Sequence, residues 1–156
     1  MGSLTDDRPK CLVDISPGET ILSRQLKILQ KLGWSEVLIT TGPFAYQIEK
    51  YVKDNFNGLK VEYVNNPLFN ETNYIYSLLL AGDKITGSLL LMHGDLVFER
   101  EVLQKLMQSG HEDAVLVNSE VELPEKDFKG LIDKGLVKKI GIDVFGSEAA
   151  FLVPIY

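Results

Sequence analysis

Short apolar runs alternate with helical patterns along most of the chain. Four runs are rich in branched aliphatic residues and apolar on both faces, as buried parallel strands are: 36–41, 60–64, 88–93 and 114–118. Apolar residues recur at helical spacing in the segments 19–32, 44–56, 75–84 and 99–108. This alternation predicts an α/β fold of the three-layer, Rossmann-like kind, with a mostly parallel central sheet.

The last third of the chain has a different pattern. Three short segments, 128–132, 137–142 and 150–153, are separated by glycines. They predict antiparallel strands added to the parallel core. Because no repeat or linker divides the sequence, we expect a single domain over residues 1–156. The chain begins without a first strand and stops at Tyr156 on an apolar run, so we expect this domain to be incomplete at both ends.

Composition narrows the class of protein. The net charge is -6, and the acidic residues are scattered, which argues against a nucleic-acid partner and against binding to an anionic membrane. Cys11 is the single cysteine, so the chain has no internal disulfide and no cysteine-built zinc site. No apolar run approaches the roughly 20 residues that span a bilayer, so we expect no membrane insertion. The cytoplasm is the expected location.

The segment 4–13 (LTDDRPKCLV) contains the first candidate group, Lys10. Lys10 directly follows Pro9, whose fixed φ gives the lysine a stiff backbone from which to direct its ammonium. A compact point charge of this kind suits a triphosphate. A solvated surface lysine in a capped turn explains the same residues without a ligand, and composition alone favours it.

The segment 89–98 (LLLMHGDLVF) contains the second candidate group, Asp95. A long apolar run that ends in Gly94-Asp95 places a carboxylate at the carboxyl end of a buried strand, where open α/β sheets bind ligands. Gly94 lets the backbone turn and a ligand approach closely. Asp95 would then hold Mg²⁺, which prefers one or two carboxylates together with substrate phosphates. The alternative is that Asp95 caps a turn. His93 receives no role, because a histidine at a strand end is usually packed or hydrogen-bonded.

The segment 65–78 (NNPLFNETNYIYSL) crowds uncharged polar residues before a helix. Asn66, Thr72 and Asn73 offer amide and hydroxyl groups that could read a base edge or a ribose. Thr41 and Gly42 follow a predicted strand at the same sheet edge. An ordinary asparagine-rich turn with a helix cap, and a tight turn at Gly42-Pro43, explain these residues without a ligand.

Taken together, these residues resemble the nucleoside-triphosphate transferase family, which includes sugar-phosphate nucleotidylyltransferases and phosphocholine cytidylyltransferases. The Leu-Thr, polar stretch and Pro-Lys of 4–10 match the second half of the family's opening signature, which implies that Lys10 contacts phosphates. Gly94-Asp95 matches the family's metal-binding aspartate. Asn66-Pro67, Thr72-Asn73 and Ser77-Leu78 are similar to the cytidylyltransferase branch. Gly2 and Ser3 are either what survives of the family's glycine-rich loop or residues added in cloning.

The resemblance implies an activity and a site. The activity is Mg²⁺-dependent transfer of CMP from CTP to phosphocholine or 2-aminoethylphosphonate, with release of pyrophosphate. The implied catalytic residues are Lys10 and Asp95, and Asp95 is the implied metal ligand. The implied nucleotide contacts are Gly2, Ser3, Lys10, Thr41, Gly42, Asn66, Thr72, Asn73, Ser77 and Gly94. A sugar-phosphate nucleotidylyltransferase and a non-catalytic nucleotide-sensing domain are the alternatives, and a fused partner domain or a homodimer is possible.

Overall fold

The computed structural model describes residues 5–123, 125 and 127–156. These residues group into two compact units. Unit 1 comprises the described residues up to Leu89 together with Gly94–Arg100, and unit 2 comprises Leu90–His93 together with the described residues from Glu101 to Tyr156. The expectation of one domain over the whole chain stays a prediction.

Unit 1 has an alternating strand and helix order in its described residues. Its strands are β1 (Asp14–Ser16), β2 (Glu19–Thr20), β3 (Glu36–Thr41) and β4 (Lys60–Asn65), its helices are α1 (Ile21–Lys31), α2 (Ala45–Asn55) and α3 (Tyr74–Ala81), and 3-10 turns lie at Lys10–Leu12 and Gly82–Lys84. The sequence pattern predicts all three helices and both longer strands. It misses the short antiparallel hairpin of β1 and β2.

Strands β3 and β4 form the parallel pair that the sequence predicts. They pair along their whole length, from Glu36 opposite Lys60 to Thr41 opposite Asn65. The Asn66 N–H then donates to the Thr41 carbonyl at 2.8 Å, which extends the pairing by one step. Because the strands are parallel, the segments that follow them leave the sheet at the same edge. This edge is where an α/β domain of this kind binds ligands.

Helix α1 presents a wide buried face. The buried residues include Leu22, Gln25, Leu26 and Leu29, which recur at helical spacing. At the N-terminus, the Thr20 side chain accepts from the Ser23 N–H, and the Ser23 side chain accepts from the Thr20 N–H, so two helix-end donors are satisfied reciprocally. Burial therefore holds α1 firmly in unit 1 and fixes the segments bonded to it.

Helices α2 and α3 bury fewer residues than α1. Ile48, Val52 and Phe56 are buried along α2 as predicted, while Tyr51 is half-buried and its hydroxyl accepts from Thr20 at 3.2 Å. The predicted helix over 75–84 ends at Ala81 and continues as a 3-10 turn. No helix within the described ranges is long and apolar enough to cross a membrane.

Unit 2 is built on an antiparallel sheet, as its glycine-punctuated segments predict. Helix α4 (Arg100–Met107) leads into it, and the strands are β5 (Val117–Asn118), β6 (Lys129–Asp133), β7 (Leu136–Gly141) and β8 (Ala149–Leu152), in the order β5-β8-β6-β7. The two-residue turn between β6 and β7 places Lys134 at φ 51° and Gly135 at φ 77°. Positive φ at both positions matches the right-handed twist of the flanking strands.

The strand predicted over 88–93 is wrong. Within the described residues this segment forms only an isolated antiparallel bridge, between Met92 and Ile155. Leu91 and Tyr156 exchange backbone hydrogen bonds at 2.9 Å, and the His93 N–H donates to Pro154 at 3.2 Å. The apolar run therefore pairs with the last residues of the chain. Pro154 has no N–H to donate, which limits the ladder. The strand predicted over 114–118 shortens to β5.

Candidate functional site

Lys10 and Asp95 lie in direct contact in unit 1. The Lys10 ammonium donates to Asp95 Oδ2 at 2.8 Å, although the two residues are 85 positions apart. Their side chains are 47% and 40% exposed. An exposed ion pair contributes only about 0 to 1 kcal/mol to stability. The contact therefore places two opposite charges where solvent and ligands reach them, at little cost to folding if either is changed.

The segment before α1 fixes the position of Lys10. Pro9 is extended, and its carbonyl accepts from the Leu12 N–H at 2.9 Å, which closes the 3-10 turn that starts at Lys10. Before Lys10 in the sequence, the Asp7 carbonyl accepts from the side-chain amide of Gln47 in α2 at 2.8 Å. After Lys10, the Val13 carbonyl accepts from the Ile21 N–H at the start of α1 at 3.2 Å. Lys10 thus projects from a backbone that is tied to two helices.

Helix α1 also holds the loop that carries Asp95. The Gln25 side-chain amide donates to the Leu96 carbonyl at 2.8 Å. Arg24 donates to the Phe98 carbonyl at 3.1 Å and forms ion pairs with Glu19 and Glu99. Apart from the local pair with Glu19, these bonds join positions more than 70 residues apart in the sequence. The backbone that follows Asp95 is therefore anchored to a buried helix.

The sequence pattern does not reveal the part that Arg24 and Gln25 play. Gln25 is 4% exposed on the apolar stripe of α1. A glutamine among leucines at helical spacing is the signal that could have found it, because a buried amide needs hydrogen-bond partners. Its partner lies in a distant segment, which no local pattern specifies.

Gly94 does not need to be glycine for the reason given from the sequence. Its φ is not in the left-handed region, and a Cβ at this position would meet only the Cβ of Cys11, at 3.9 Å. That is an ordinary van der Waals distance. The backbone turn before Asp95 is therefore open to other residues, and the close approach of a ligand to Gly94 stays a prediction.

Cys11 lies close to Asp95, and its thiol has low reactivity. Burial raises the pKa of the Cys11 thiol from 9.0 to about 11, a backbone hydrogen bond opposes the rise, and the Asp95 charge adds to it. The thiol is therefore neutral at physiological pH. A neutral thiol is a poor nucleophile, so Cys11 is an unsuitable group for covalent catalysis.

A second group of predicted residues lies at the carboxyl edge of β3 and β4. Thr41 is 6% exposed, and its hydroxyl has no hydrogen-bond partner among the described residues. Gly42 follows it, and a Cβ there would come within 3.3 Å of the Phe69 ring. The loop that contains Phe69 therefore packs closely over Gly42, which accounts for a glycine at this position.

Asn66 organises that loop from within. Its side-chain amide donates to Thr72 Oγ1 and to Ser77 Oγ, both at 3.0 Å, and its carbonyl oxygen accepts from the Leu68 N–H at 2.9 Å. Asn66 is 3% exposed. The amide donors are thus used inside the protein, and Asn66 shapes the loop in the described structure. Contacts of Asn66, Thr72 and Ser77 with a nucleotide stay predictions.

Asn73 caps helix α3. Its side-chain oxygen accepts from the Ile75 N–H at 3.0 Å, and the residue is exposed. This is the helix-cap alternative raised from the sequence. A contact between Asn73 and a nucleotide stays a prediction. Gly2 and Ser3 lie outside the described residues.

Unit 2 contains a buried charge that the sequence pattern does not reveal. The Lys129 side chain in β6 is 0% exposed, and its ammonium lies 4.4 Å from the centroid of the Phe145 ring. It also donates to the Glu125 carbonyl at 3.4 Å. Lysine is rarely buried without such partners. An inward strand position occupied by lysine is the only local signal for this arrangement.

A complete metal cage is not part of the described structure. Among residues 5–123, 125 and 127–156, no group of three or more histidine, cysteine, aspartate or glutamate side chains is placed to hold a metal ion. Asp95 offers one partly exposed carboxylate, 2.8 Å from the Lys10 ammonium. One carboxylate fits a magnesium ion that takes its other ligands from water and a substrate polyphosphate.

The fold is that of the α/β nucleotidyltransferases. The solved structure of the inositol-1-phosphate CTP transferase from T. maritima matches 98% of this chain and 62% of that chain, with a TM-score of 0.75 and 22% sequence identity. This confirms the predicted fold class. The chain belongs to the MobA-like NTP transferase domain family, whose model matches residues 1–126.

Two curated relatives lie closer in sequence. The chain is 31% identical over 115 residues to the CMP-5'-(3-aminopropyl)phosphonate synthase of Streptomyces rubellomurinus, which covers 74% of this chain and 18% of the relative. It is 24% identical over 122 residues to the CTP:phosphoglutamine cytidylyltransferase of Campylobacter jejuni, which covers 74% of this chain and 46% of the relative. The chain thus spans less than half the length of each.

Replacing Asn66 with alanine tests whether it organises the loop. The change leaves the Leu68 N–H, in a part-buried bond, without its acceptor and removes the donor to Thr72 and Ser77. It should lower the free energy of unfolding by about 2 kcal/mol, measured by urea denaturation. Asn57→Ala, at an exposed position, is the matched control and should be near neutral. An equally small change in both variants would contradict the structural role of Asn66.

Alkylation of Cys11 tests its raised pKa. At pH 8, a thiol with a pKa of about 11 has on the order of 100-fold less thiolate than one at 9.0. Iodoacetamide should therefore modify Cys11 about that much more slowly in the folded protein than in urea, followed by mass spectrometry. The stability that the protonated thiol contributes is fully present below pH 9.0 and is lost as pH rises toward about 11. Equal native and denatured rates would rule out this burial effect.

Proposed function

We propose that the protein transfers CMP from CTP to a small phosphorylated or phosphonylated amine and releases pyrophosphate. The observation that carries the proposal is the contact between Lys10 and Asp95 at 2.8 Å, half-exposed at the surface of unit 1. An ammonium suits the phosphates of a nucleoside triphosphate, and a carboxylate suits the magnesium ion that accompanies them. Family membership supports this use of the two charges.

The reaction needs charge control more than a protein nucleophile. A phosphate or phosphonate oxygen of the acceptor, already an anion, attacks the α-phosphorus of CTP. A new phosphorus–oxygen bond forms, the bond to the β-phosphate breaks, and pyrophosphate leaves with its electron pair. The neutral thiol of Cys11 is consistent with direct transfer. Magnesium, when bound, would offset the negative charge of the phosphates.

The chain's own residues have separate tasks in this proposal. Lys10 binds phosphate oxygens and offsets the charge that grows on the leaving pyrophosphate. Asp95 would hold the magnesium ion, which would supply positive charge that helps to align the polyphosphate for in-line attack. The edge formed by Thr41, Gly42 and the loop from Asn66 to Asn73 lies at the usual ligand-binding end of a parallel sheet. We assign nucleoside recognition to this edge.

The names of the relatives favour cytidine and a phosphonate or phosphate acceptor. One is a synthase of CMP-5'-(3-aminopropyl)phosphonate, and the other is a cytidylyltransferase for phosphoglutamine. The first of these acceptors is an amine attached to a phosphonate, which is the class proposed here. Magnesium as the physiological ion, a cytoplasmic location, and a fused partner domain or homodimer belong to the same proposal.

Substitution of the two charged residues tests the mechanism. In the full-length protein, Asp95→Asn should reduce pyrophosphate release by on the order of 100-fold or more, because the metal ligand is lost. Lys10→Ala should weaken CTP binding by roughly 10- to 100-fold, the value of a charged hydrogen bond to phosphate. Pyrophosphate release and calorimetric CTP binding measure these effects.

The exposed pair of Lys50 and Asp54 provides matched controls on α2. Lys50→Ala and Asp54→Asn remove the same charges at a site with no proposed ligand, and they should leave both measurements unchanged. All four variants should unfold within about 1 kcal/mol of the wild type. Near-normal turnover in Asp95→Asn would contradict the mechanism.

Ligand selection tests the identity of the substrates. With Mg²⁺ present, CTP should raise the melting temperature more than UTP, GTP or dTTP, because a ligand stabilises the folded state according to its affinity. Pyrophosphate release should then be fastest with 2-aminoethylphosphonate, phosphocholine or a related amine rather than with sugar phosphates. A preference for a sugar phosphate would move the protein to the sugar branch. Nucleotide binding without turnover of any acceptor would indicate a sensing domain.

A further inference from the structure

The segment that carries Lys10 and the loop that carries Asp95 meet at the candidate site. The buried side chain of Gln25 bonds the second of these, the Asp95 loop. Asp95 projects from the loop Gly94–Arg100, which lies outside any helix or strand until α4 begins at Arg100. Residues 94 and 95 form a turn, and residues 96–99 have no regular secondary structure. Bonds from α1 to this loop therefore help to set the position of a metal ligand at Asp95.

We infer that Gln25 is a positioning residue for the Asp95 carboxylate, and this inference rests on the proposed function. The Gln25 amide donates to the carbonyl of Leu96, the residue directly after Asp95, at 2.8 Å. Gln25 is 4% exposed, so little water is available to replace the bond. Loss of this bond frees the peptide that determines where the Asp95 side chain points.

Helix α1 makes the anchor rigid. Leu22 and Leu26, on the same stripe as Gln25, are 5% and 1% exposed. Arg24, the neighbouring residue, donates to the Phe98 carbonyl and pairs with Glu99, so α1 bonds the loop at two further places. Gln25 is nevertheless the contact closest to Asp95 in sequence. The Arg24 bonds act farther along the loop.

The same helix supplies a matched control. Gln30 is an exposed residue of α1 whose amide donates to the Asn57 carbonyl at 3.4 Å. It forms the same type of bond, from the same type of side chain to a backbone carbonyl, away from the Asp95 loop. Gln25→Met and Gln30→Met each remove one amide and keep the side-chain length.

The test separates metal-dependent from metal-independent binding of CTP. Calorimetry on the full-length protein gives the CTP dissociation constant once with EDTA and once with saturating Mn²⁺. The ratio of the two constants is the gain in affinity due to the metal. Partners that orient a metal ligand typically contribute 10- to 100-fold to metal affinity, so Gln25→Met should reduce this gain by about tenfold. The affinity with EDTA, to which Lys10 contributes, should stay at the wild-type value.

The control variant and the wild type distinguish the possible failures. Gln30→Met should keep the full metal-dependent gain. If Gln25→Met also keeps it, or loses affinity equally with EDTA and with Mn²⁺, Gln25 is a general packing residue and the inference is wrong. If the wild type itself gains nothing from Mn²⁺, the metal part of the proposed function fails, and the inference fails with it.

A second variant guards against loss of folding. Gln25→Leu suits the apolar stripe of α1, but it has no N–H to donate to the Leu96 carbonyl. It should show the same tenfold loss of metal-dependent gain, with circular dichroism like that of the wild type. If neither variant folds, Gln25 serves folding as a whole, which would overturn its separate positioning role.

Discussion

Burial of helix α1 is the constraint on which both charged groups of the candidate site depend. Its apolar stripe, centred on Leu26 at 1% exposure, holds the helix in unit 1. From that fixed position its first N–H bonds the segment that carries Lys10, and Gln25 bonds the loop that carries Asp95. Two parts of the chain that are 85 residues apart thereby meet at 2.8 Å. Hydrophobic burial supplies the free energy, and a few hydrogen bonds turn it into a defined geometry.

The contact between Lys10 and Asp95 contributes little to stability, and under the proposed function it keeps two reactive charges ready at the site. Water screens the pair, because both side chains are nearly half exposed, so its contribution to folding is small. Under the proposed function, each group satisfies the other until a metal-bound triphosphate offers both a stronger partner. The ammonium would then bind phosphate, and the carboxylate would hold the metal. Such an arrangement keeps opposite charges at the site without leaving either one uncompensated.

The sequence predicts local structure well and long-range pairing poorly. Helical spacing locates α1, and branched aliphatic residues locate β3, because both signals lie within a few neighbouring residues. The apolar run 88–93 is misassigned, because its composition predicts a buried strand, whereas residues 88 and 89 are exposed and 90–93 are only half-buried. Composition also does not say which segment the run pairs with. Lys10 and Asp95 were found through motifs. Gln25 was not found, because a single amide within a leucine stripe gains meaning only from the distant carbonyl that it contacts.

The role of Lys10 and Asp95 can be seen in a crystal structure with Mn²⁺ and α,β-methylene CTP, because this CTP analogue cannot transfer its nucleotide and manganese scatters anomalously. We expect an anomalous peak about 2.1 Å from a carboxylate oxygen of Asp95, with the Lys10 ammonium moved away from Asp95 and onto a phosphate oxygen. An intact pair at 2.8 Å, with the nucleotide phosphates and the metal bound elsewhere, would contradict this role.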